Sequence, residues 1–395
     1  MAIEAVDTRA RGLRPRRAAE AVGAATFARR LDWVLLGAVG AIVGYGLWAI
    51  DGITRHDPGG SLAARQGVYA FAGGVLMIAV VAIDPDVWRR HRRPIYIGTL
   101  GVMLLVLASS AATRGSRRWI DIGFFTFQPS EFGKVLFTLF LAGFLADRAK
   151  RIGLFETPLE ALGLGALPIL LVFLQPDIGT ALVYSAALAG VLFVSGVRWL
   201  HLGVIAAVAL VGVLAVLWWL PAVGVNVLKP YQAQRLTGFT HPDVDPRGAT
   251  WNVNQSVTAV GAGGVRGRGV TGATQTRLNY LPEHATDFAF ASLAEQRGFF
   301  GISILLLLYL LVVWRGLKIV TSARDLFCAI VAGGLVFAFL FQVFVNIGMT
   351  IGIAPITGIP LPFVSVGGSS MITNLVAIGI LQAIYARSRV GRRRA

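Results

Sequence analysis

The sequence predicts an all-α integral membrane protein. It should have ten transmembrane helices, a large extracytoplasmic loop between helices seven and eight, and a re-entrant Pro/Gly-rich segment before helix ten. Three observations predict this. The 395 residues are 55% hydrophobic and only 14% charged, whereas soluble domains average about 25% charged residues. Mean hydropathy is +0.69. Apolar runs close to the roughly 20 residues that cross a bilayer recur along the chain, and they give way at length only once, between Pro221 and Gln296.

The runs place spans at 31–50, 65–83, 94–112, 131–147, 159–174, 178–196, 199–221, 297–316, 324–348 and 367–387. Basic residues orient them. Of 36 Lys and Arg, 23 fall in the two termini and the even-numbered loops, including Arg89, Arg90, Arg92 and Arg93 after span two. The positive-inside rule then puts both termini in the cytoplasm and the large loop outside. The expected organisation is a basic cytoplasmic tail over 1–30, a transmembrane domain over 31–387 that includes the loop at 222–296, and a second basic tail over 388–395. No polar block outside the loop is long enough for a core of its own. The net charge of +16 is spread over these tails and loops, which argues against nucleic acid as a partner. Membrane lipids are the expected partner of the tails, with simple solvation as the other reading. Cys328 is the single cysteine, so no intramolecular disulfide forms, and its apolar run suits a small buried hydrophobe. The N-terminus lacks an apolar region next to Met1, so the first span serves as the targeting signal.

After span three come Arg118-Trp119 and then Gln128-Pro129-Ser130-Glu131 with Lys134. Pro129 and Glu131 suit a helix's first turn, and Glu131 and Lys134 share one face. They make either a structural ion pair or an acid/base couple. Asp177, after Pro176, either caps span six or joins a site. Arg118 beside Trp119 suits an interfacial anchor or a phosphate ligand. The large loop holds Lys229 to Arg235, His241 to Pro246 and a Gly-rich run from Gly261 to Gly269. That run lacks the preceding strand of a nucleotide cradle, so a flexible or tight-turning loop is the reading. The loop ends at Leu281-Pro282-Glu283-His284-Ala285-Thr286-Asp287-Phe288. Asp287 sits where the chain re-enters the membrane and is the first candidate for chemistry; helix capping is the other reading. Between Pro355 and Ser370 the prolines forbid a regular helix. Such backbone survives at membrane depth only under protein or beside a wet cavity. The histidines and acids show no metal-ligand spacing.

Taken together, Arg118-Trp119, Gln128-Pro129-Ser130-Glu131 with Lys134, Pro176-Asp177 with Gly179-Thr180, Tyr231 with Arg235, Asp245-Pro246, Gln255-Ser256, Gly263-Gly264 and Gln275 resemble the SEDS family of shape, elongation, division and sporulation proteins. So do Glu283 with Thr286-Asp287-Phe288, Asn346-Ile347-Gly348-Met349, Gly358 to Phe363, Ser365 and Gly367 to Ser370. The wording Met349-Thr350-Ile351-Gly352 and Ile356-Thr357-Gly358 tilts towards the elongation branch. The chain departs from the family pattern at Ala285, Gln296 and Val366.

The resemblance implies ten helices in the bacterial cytoplasmic membrane. It implies a peptidoglycan glycosyltransferase that polymerises lipid II, with a class B penicillin-binding protein as transpeptidase partner and a divalent cation, Mg²⁺ or Mn²⁺, at an unassigned site. Asp287 is the expected general base on the acceptor 4-hydroxyl. Arg118, Trp119, Gln128, Ser130, Glu131, Lys134, Asp177, Arg235, Gln275, Glu283, Thr286, Ser365 and Ser369 are the expected substrate contacts. A lipid II flippase, or a scaffold for the transpeptidase, are the alternatives.

Overall fold

The computed structural model describes residues 29–55, 59–108, 119–121, 123, 125–225, 227–228 and 249–391. Arg118, Tyr231, Arg235 and Asp245 therefore lie outside the described residues, as do both basic tails up to residue 28 and from 392. In chain order the helices are α1 (Trp33–Thr54), α2 (Ala63–Ala82), the short α3 (Pro85–Arg90), α4 (Arg92–Ala108), α5 (Pro129–Asp147), α6 (Glu156–Leu174), α7 (Ile178–Val194) and α8 (Trp199–Ala222). They continue with α9 (Ala249–Gly263), α10 (Gly269–Gly272), α11 (Thr274–Arg277), α12 (Ala289–Ser322), α13 (Leu326–Thr350) and α14 (Gly368–Gly391). Two two-residue strands, β1 (Ile120–Asp121) and β2 (Thr126–Phe127), pair antiparallel just before α5. Sequence periodicity is silent on so short a hairpin.

The chain folds as an all-α membrane protein. Each expected span falls on a helix. Among the described residues eight helices are long and apolar enough to cross a bilayer, including α1, α8, α12 and α13. The other two, α4 and α7, have 17 residues each. Aspartates start several helices by accepting a backbone N–H: Asp32 from Leu35, Asp84 from Asp86, Asp177 from Thr180 and Asp325 from Cys328. These orphan donors at a helix start have no other partner in an apolar setting.

Between spans, small residues allow close approach. A Cβ on Gly73 of α2 would lie 2.6 Å from Leu375, and one on Gly379 of α14 would lie 2.8 Å from the Met77 carbonyl. The core is drawn chiefly from α5, α7, α13 and α14, whose faces are almost wholly buried. By contrast α8 has no buried residue. It is apolar around its circumference, as a lipid-bathed helix should be. A π turn at 215–219 precedes Pro221, which has no N–H to continue the ladder.

Some boundaries differ from expectation, by at least four residues at the ends of α1, α12 and α14. Span eight was expected to start at 297, but α12 starts at Ala289 and breaks at Gly298 (φ 64°, ψ −166°). The stretch before the break is buried from Ala289 to Gln296, so it is a packed half-helix that the hydropathy pattern does not separate from the loop. At the C-terminus α14 runs on to Gly391, past the expected end at 387.

Candidate functional site

Helix α5 opens on Gln128, with Pro129 in its first turn. From there a buried polar network spreads. The Gln128 side-chain amide donates to Asp177 Oδ2 at 2.8 Å and to Ser130 Oγ at 3.2 Å, while its backbone N–H donates to Ser369 Oγ at 3.0 Å. The Ser369 hydroxyl donates to the Thr126 carbonyl. Asp177 also accepts from the Thr180 N–H and hydroxyl. It is thus both the cap of α7 and a member of the network, uniting its two sequence readings. The Tyr184 hydroxyl donates to the Ser130 carbonyl.

One turn into α5, Lys134 Nζ meets Glu131 Oε2 at 2.7 Å, with both side chains only 4% exposed. Lys134 also donates to Gln342 Oε1 of α13 at 3.3 Å. A pair this deep is held by its mutual attraction and extra hydrogen bonds, since either charge alone would be costly there.

Asp287 lies in the tight turn 281–288. Leu281 and Phe288 pin the turn's two ends in a small core with Val253, Ala259, Ala291 and Ile356. Inside the turn the Thr286 hydroxyl donates to Glu283 Oε2 at 2.7 Å, and the Thr286 and Phe288 N–H groups donate to the Glu283 carbonyl. Glu283 takes a positive φ of 51° to allow this. The N-cap position of α12 is Phe288, one residue past Asp287, and the Phe288 side chain makes no capping bond. The Asp287 side chain is half-buried, while Glu283 is exposed.

The Pro/Gly-rich segment between α13 and α14 is irregular and largely buried, as its prolines demand. It closes over the turn. The Val366 N–H donates to the Ala285 carbonyl, and the Ser365 hydroxyl accepts from the Leu361 N–H. Gln66 of α2 bonds both the Ser365 carbonyl and the Gly367 N–H. Asn346 of α13 completes the clamp: its amide donates to the carbonyls of Asp287 (2.9 Å) and Ile359 (2.7 Å). Asn346 and Gln342 are four residues apart, hence on one face of α13. The Asp287 backbone and the Glu131–Lys134 pair therefore meet consecutive turns of the same helix face.

The remaining candidates flank this centre. Gln275 lies in α11, whose N–H groups at Gln275 and Thr276 are held by the buried Glu295 carboxylate at 2.8 and 2.9 Å. Trp119 is half-buried immediately before β1. The Gly-rich run is a backbone-on-backbone contact. A Cβ on Gly267 would lie 2.3 Å from the Gln296 carbonyl, and one on Gly298 would lie 2.2 Å from the Gly267 nitrogen. Of the two readings, flexible or tight-turning, these contacts favour the tight turn. Sequence reasoning gave no role to Gln66, Gln342, Asn346 or Glu295. For Gln66, Gln342 and Asn346 the available signal was a polar side chain inside an apolar span, which is costly without a purpose; Glu295 lay in the expected loop and gave no such signal.

Chemically, the site offers a half-buried carboxylate on a backbone fastened from two sides, above a buried cation–carboxylate pair. Among the described residues no group of three or more His, Cys, Asp or Glu is assembled to hold a metal.

Comparison with known proteins places this arrangement. A family model described as "Cell cycle protein", covering FtsW, RodA and SpoVE, matches residues 28–390. The peptidoglycan glycosyltransferase MrdB of Escherichia coli (strain K12) is 39% identical over 318 residues, 80% of this chain and 84% of that protein. Stage V sporulation protein E of Bacillus subtilis (strain 168) is 36% identical over 359 residues, 90% of this chain and 95% of that protein. A chain of a peptidoglycan synthase complex that coordinates polymerization and crosslinking superposes with a TM-score of 0.77 at 30% identity, covering 91% of this chain and 98% of that one. MrdB and the sporulation protein match almost equally, so identity alone does not separate the branches of the family. The chain belongs to the FtsW/RodA/SpoVE (SEDS) family and is a multi-pass membrane peptidoglycan glycosyltransferase.

Proposed function

We propose that this glycosyltransferase polymerises lipid II at the outer face of the bacterial cytoplasmic membrane during cell elongation. In this reading it crosses the membrane ten times with both termini in the cytoplasm. Its partner is a class B penicillin-binding protein transpeptidase, in keeping with its likeness to a chain of a peptidoglycan synthase complex. The observation that carries the reading is the double fastening of the Asp287 turn by Asn346 and by the irregular segment. A general base must hold its geometry against the proton it removes.

In the reaction, the 4-hydroxyl of the acceptor sugar attacks the anomeric carbon of the donor. The new glycosidic C–O bond forms as the bond to the diphosphate oxygen breaks. Asp287 takes the hydroxyl proton, and undecaprenyl diphosphate leaves with the bonding electron pair. Gln275, Glu283, Thr286 and Trp119 border the turn or the outward rim and serve substrate contact. Arg118 and Arg235 supply positive charge to the leaving diphosphate. Lys134 is engaged with Glu131 and Gln342, so it acts by holding α5 against α13 and not as a phosphate ligand. Gln128, Ser130, Asp177, Ser365 and Ser369 support the same frame through their internal bonds. A hard cation such as Mg²⁺ or Mn²⁺ would take most of its ligands from phosphate oxygens, with the exposed Glu283 carboxylate as a candidate protein ligand. When bound it would neutralise charge on the leaving group.

The test is polymerisation by purified protein in detergent, where no leaflet exists to cross. Asp287→Asn should lower the rate by roughly 10²–10⁴-fold with the melting temperature unchanged. Polymerisation by D287N at the parental rate would remove Asp287 from the role of base.

A further inference from the structure

The arginines of the Gly-rich run play no part in that chemistry, and they do not stand alone. Gly267 packs its backbone on Gln296 and Arg297 beside the Gly298 break. A Cβ on Gly52 of α1 would meet Gln296 and Val270. Arg266, Arg268 and Arg297 therefore surround one junction, where the 264–269 loop, the break in α12 and the end of α1 come together. Arg297 lies over the Trp48 ring, Cζ 3.6 Å from its centroid, and its Nε is buried without a hydrogen-bond partner. Arg266 and Arg268 are exposed, and Arg268 Nε donates to the Ala262 carbonyl.

No ion pair among the described residues involves any of the three. The neighbouring acids are engaged elsewhere: Asp51 with Arg55, and Glu295 with α11. Next to the cations stands exposed apolar surface, Trp48 (50%), Phe299 (61%) and Phe300 (62%). Depth follows from the helix. Arg297 and Lys318 are 21 residues apart on α12, about 31 Å by helical rise, which matches a hydrocarbon core of about 30 Å. Lys318 lies over Trp314 at the far end, so each end of the span carries a cation on a tryptophan.

We propose that this junction binds the phosphate of an anionic phospholipid from the adjoining leaflet. Guanidinium groups pair phosphate oxygens in bidentate fashion and are weakly hydrated, which suits a half-buried position. Three unpaired cations above acyl-facing aromatics match a headgroup above its chains. The site is separate from the reaction centre, since Arg297 lies nine residues beyond Phe288, about 13 Å along the half-helix. Which leaflet is bound rests on the outward orientation proposed above; the binding itself does not.

The experiment is native mass spectrometry of the full chain in detergent, titrated with dioleoyl-phosphatidylglycerol or dioleoyl-phosphatidylcholine. The parent should retain the glycerol lipid at least tenfold more tightly than the choline lipid. The variants R297Q and R266Q/R268Q should lose that retention by roughly fivefold per arginine, with choline-lipid binding unmoved. Among the described residues the Arg266 side chain makes no hydrogen bond or ion pair, so R266Q alone keeps the test valid if the others misfold. Equal retention of both lipids by the parent, or parental retention by the variants, overturns the assignment. So does tighter capture of undecaprenyl diphosphate that the same variants abolish, since the junction would then serve substrate.

Discussion

At the scale of single residues, the buried Glu131–Lys134 pair and Asn346 make sharp predictions. Lys134→Ala leaves Glu131 charged and enclosed, so stability should fall by about 3–5 kcal/mol. The double variant E131Q/K134M removes both charges and should recover most of that loss; thermal melting in detergent compares the two. If K134A melts like the parent, the pair is not the brace described. Asn346 donates to two carbonyls from a fully buried position. Asn346→Leu should lower kcat while leaving KM nearly unchanged, because it frees the Asp287 backbone without touching substrate. A rise in KM alone would mark Asn346 as a substrate ligand instead.

At the scale of elements, the break in α12 and the caps decide the architecture. Gly298 adopts a backbone conformation that only glycine takes readily, with the Gly267 nitrogen where a Cβ would be. Gly298→Ala should therefore separate the half-helix from the 264–269 loop, lower the melting temperature and cut polymerisation together. A G298A protein with parental melting would mean the half-helix holds without this contact. On the opposite side of the membrane domain, Asp84 caps α3 and pairs with Arg387 of α14. The Asp86 N–H, and then the Arg387 charge, hold its carboxyl below the ordinary range. The sign follows: this stabilisation is complete above the unfolded value of about 3.9 and fades as pH falls through the depressed folded value. Asp84→Asn should flatten the acid limb of a melting-temperature profile, and an unchanged limb would show that the cap contributes nothing.

At the scale of the whole molecule, the proposed orientation would put every candidate on the outward side. In a Cys328→Ser background, cysteine at exposed position 283 should react with a membrane-impermeant maleimide added outside intact spheroplasts. Labelling only after lysis would put the turn in the cytosol and end the proposed reaction scheme, because translocated substrate could not reach it. Cys328 itself is buried and should stay unlabelled in the parent.

The sequence by itself determined the membrane class, the long apolar helices and the candidate set, because hydropathy, prolines and capping aspartates act over a few neighbours; the loop helices α9, α10 and α11 it did not show. It also marked Asp287, since a carboxylate at a span's edge is conspicuous in an apolar chain. Gln342 and Asn346 were visible as polar residues in α13, yet their partners lie 208 and 59 positions away. Only the tertiary structure decided that Lys134 turns inward to Glu131, that Asn346 grips the Asp287 turn, and that the glycines at 267 and 298 let two backbones touch. The reason is physical: hydrogen bonds and steric contacts between distant segments leave no periodic trace along the chain, and a single buried partner settles which of two local readings a residue follows.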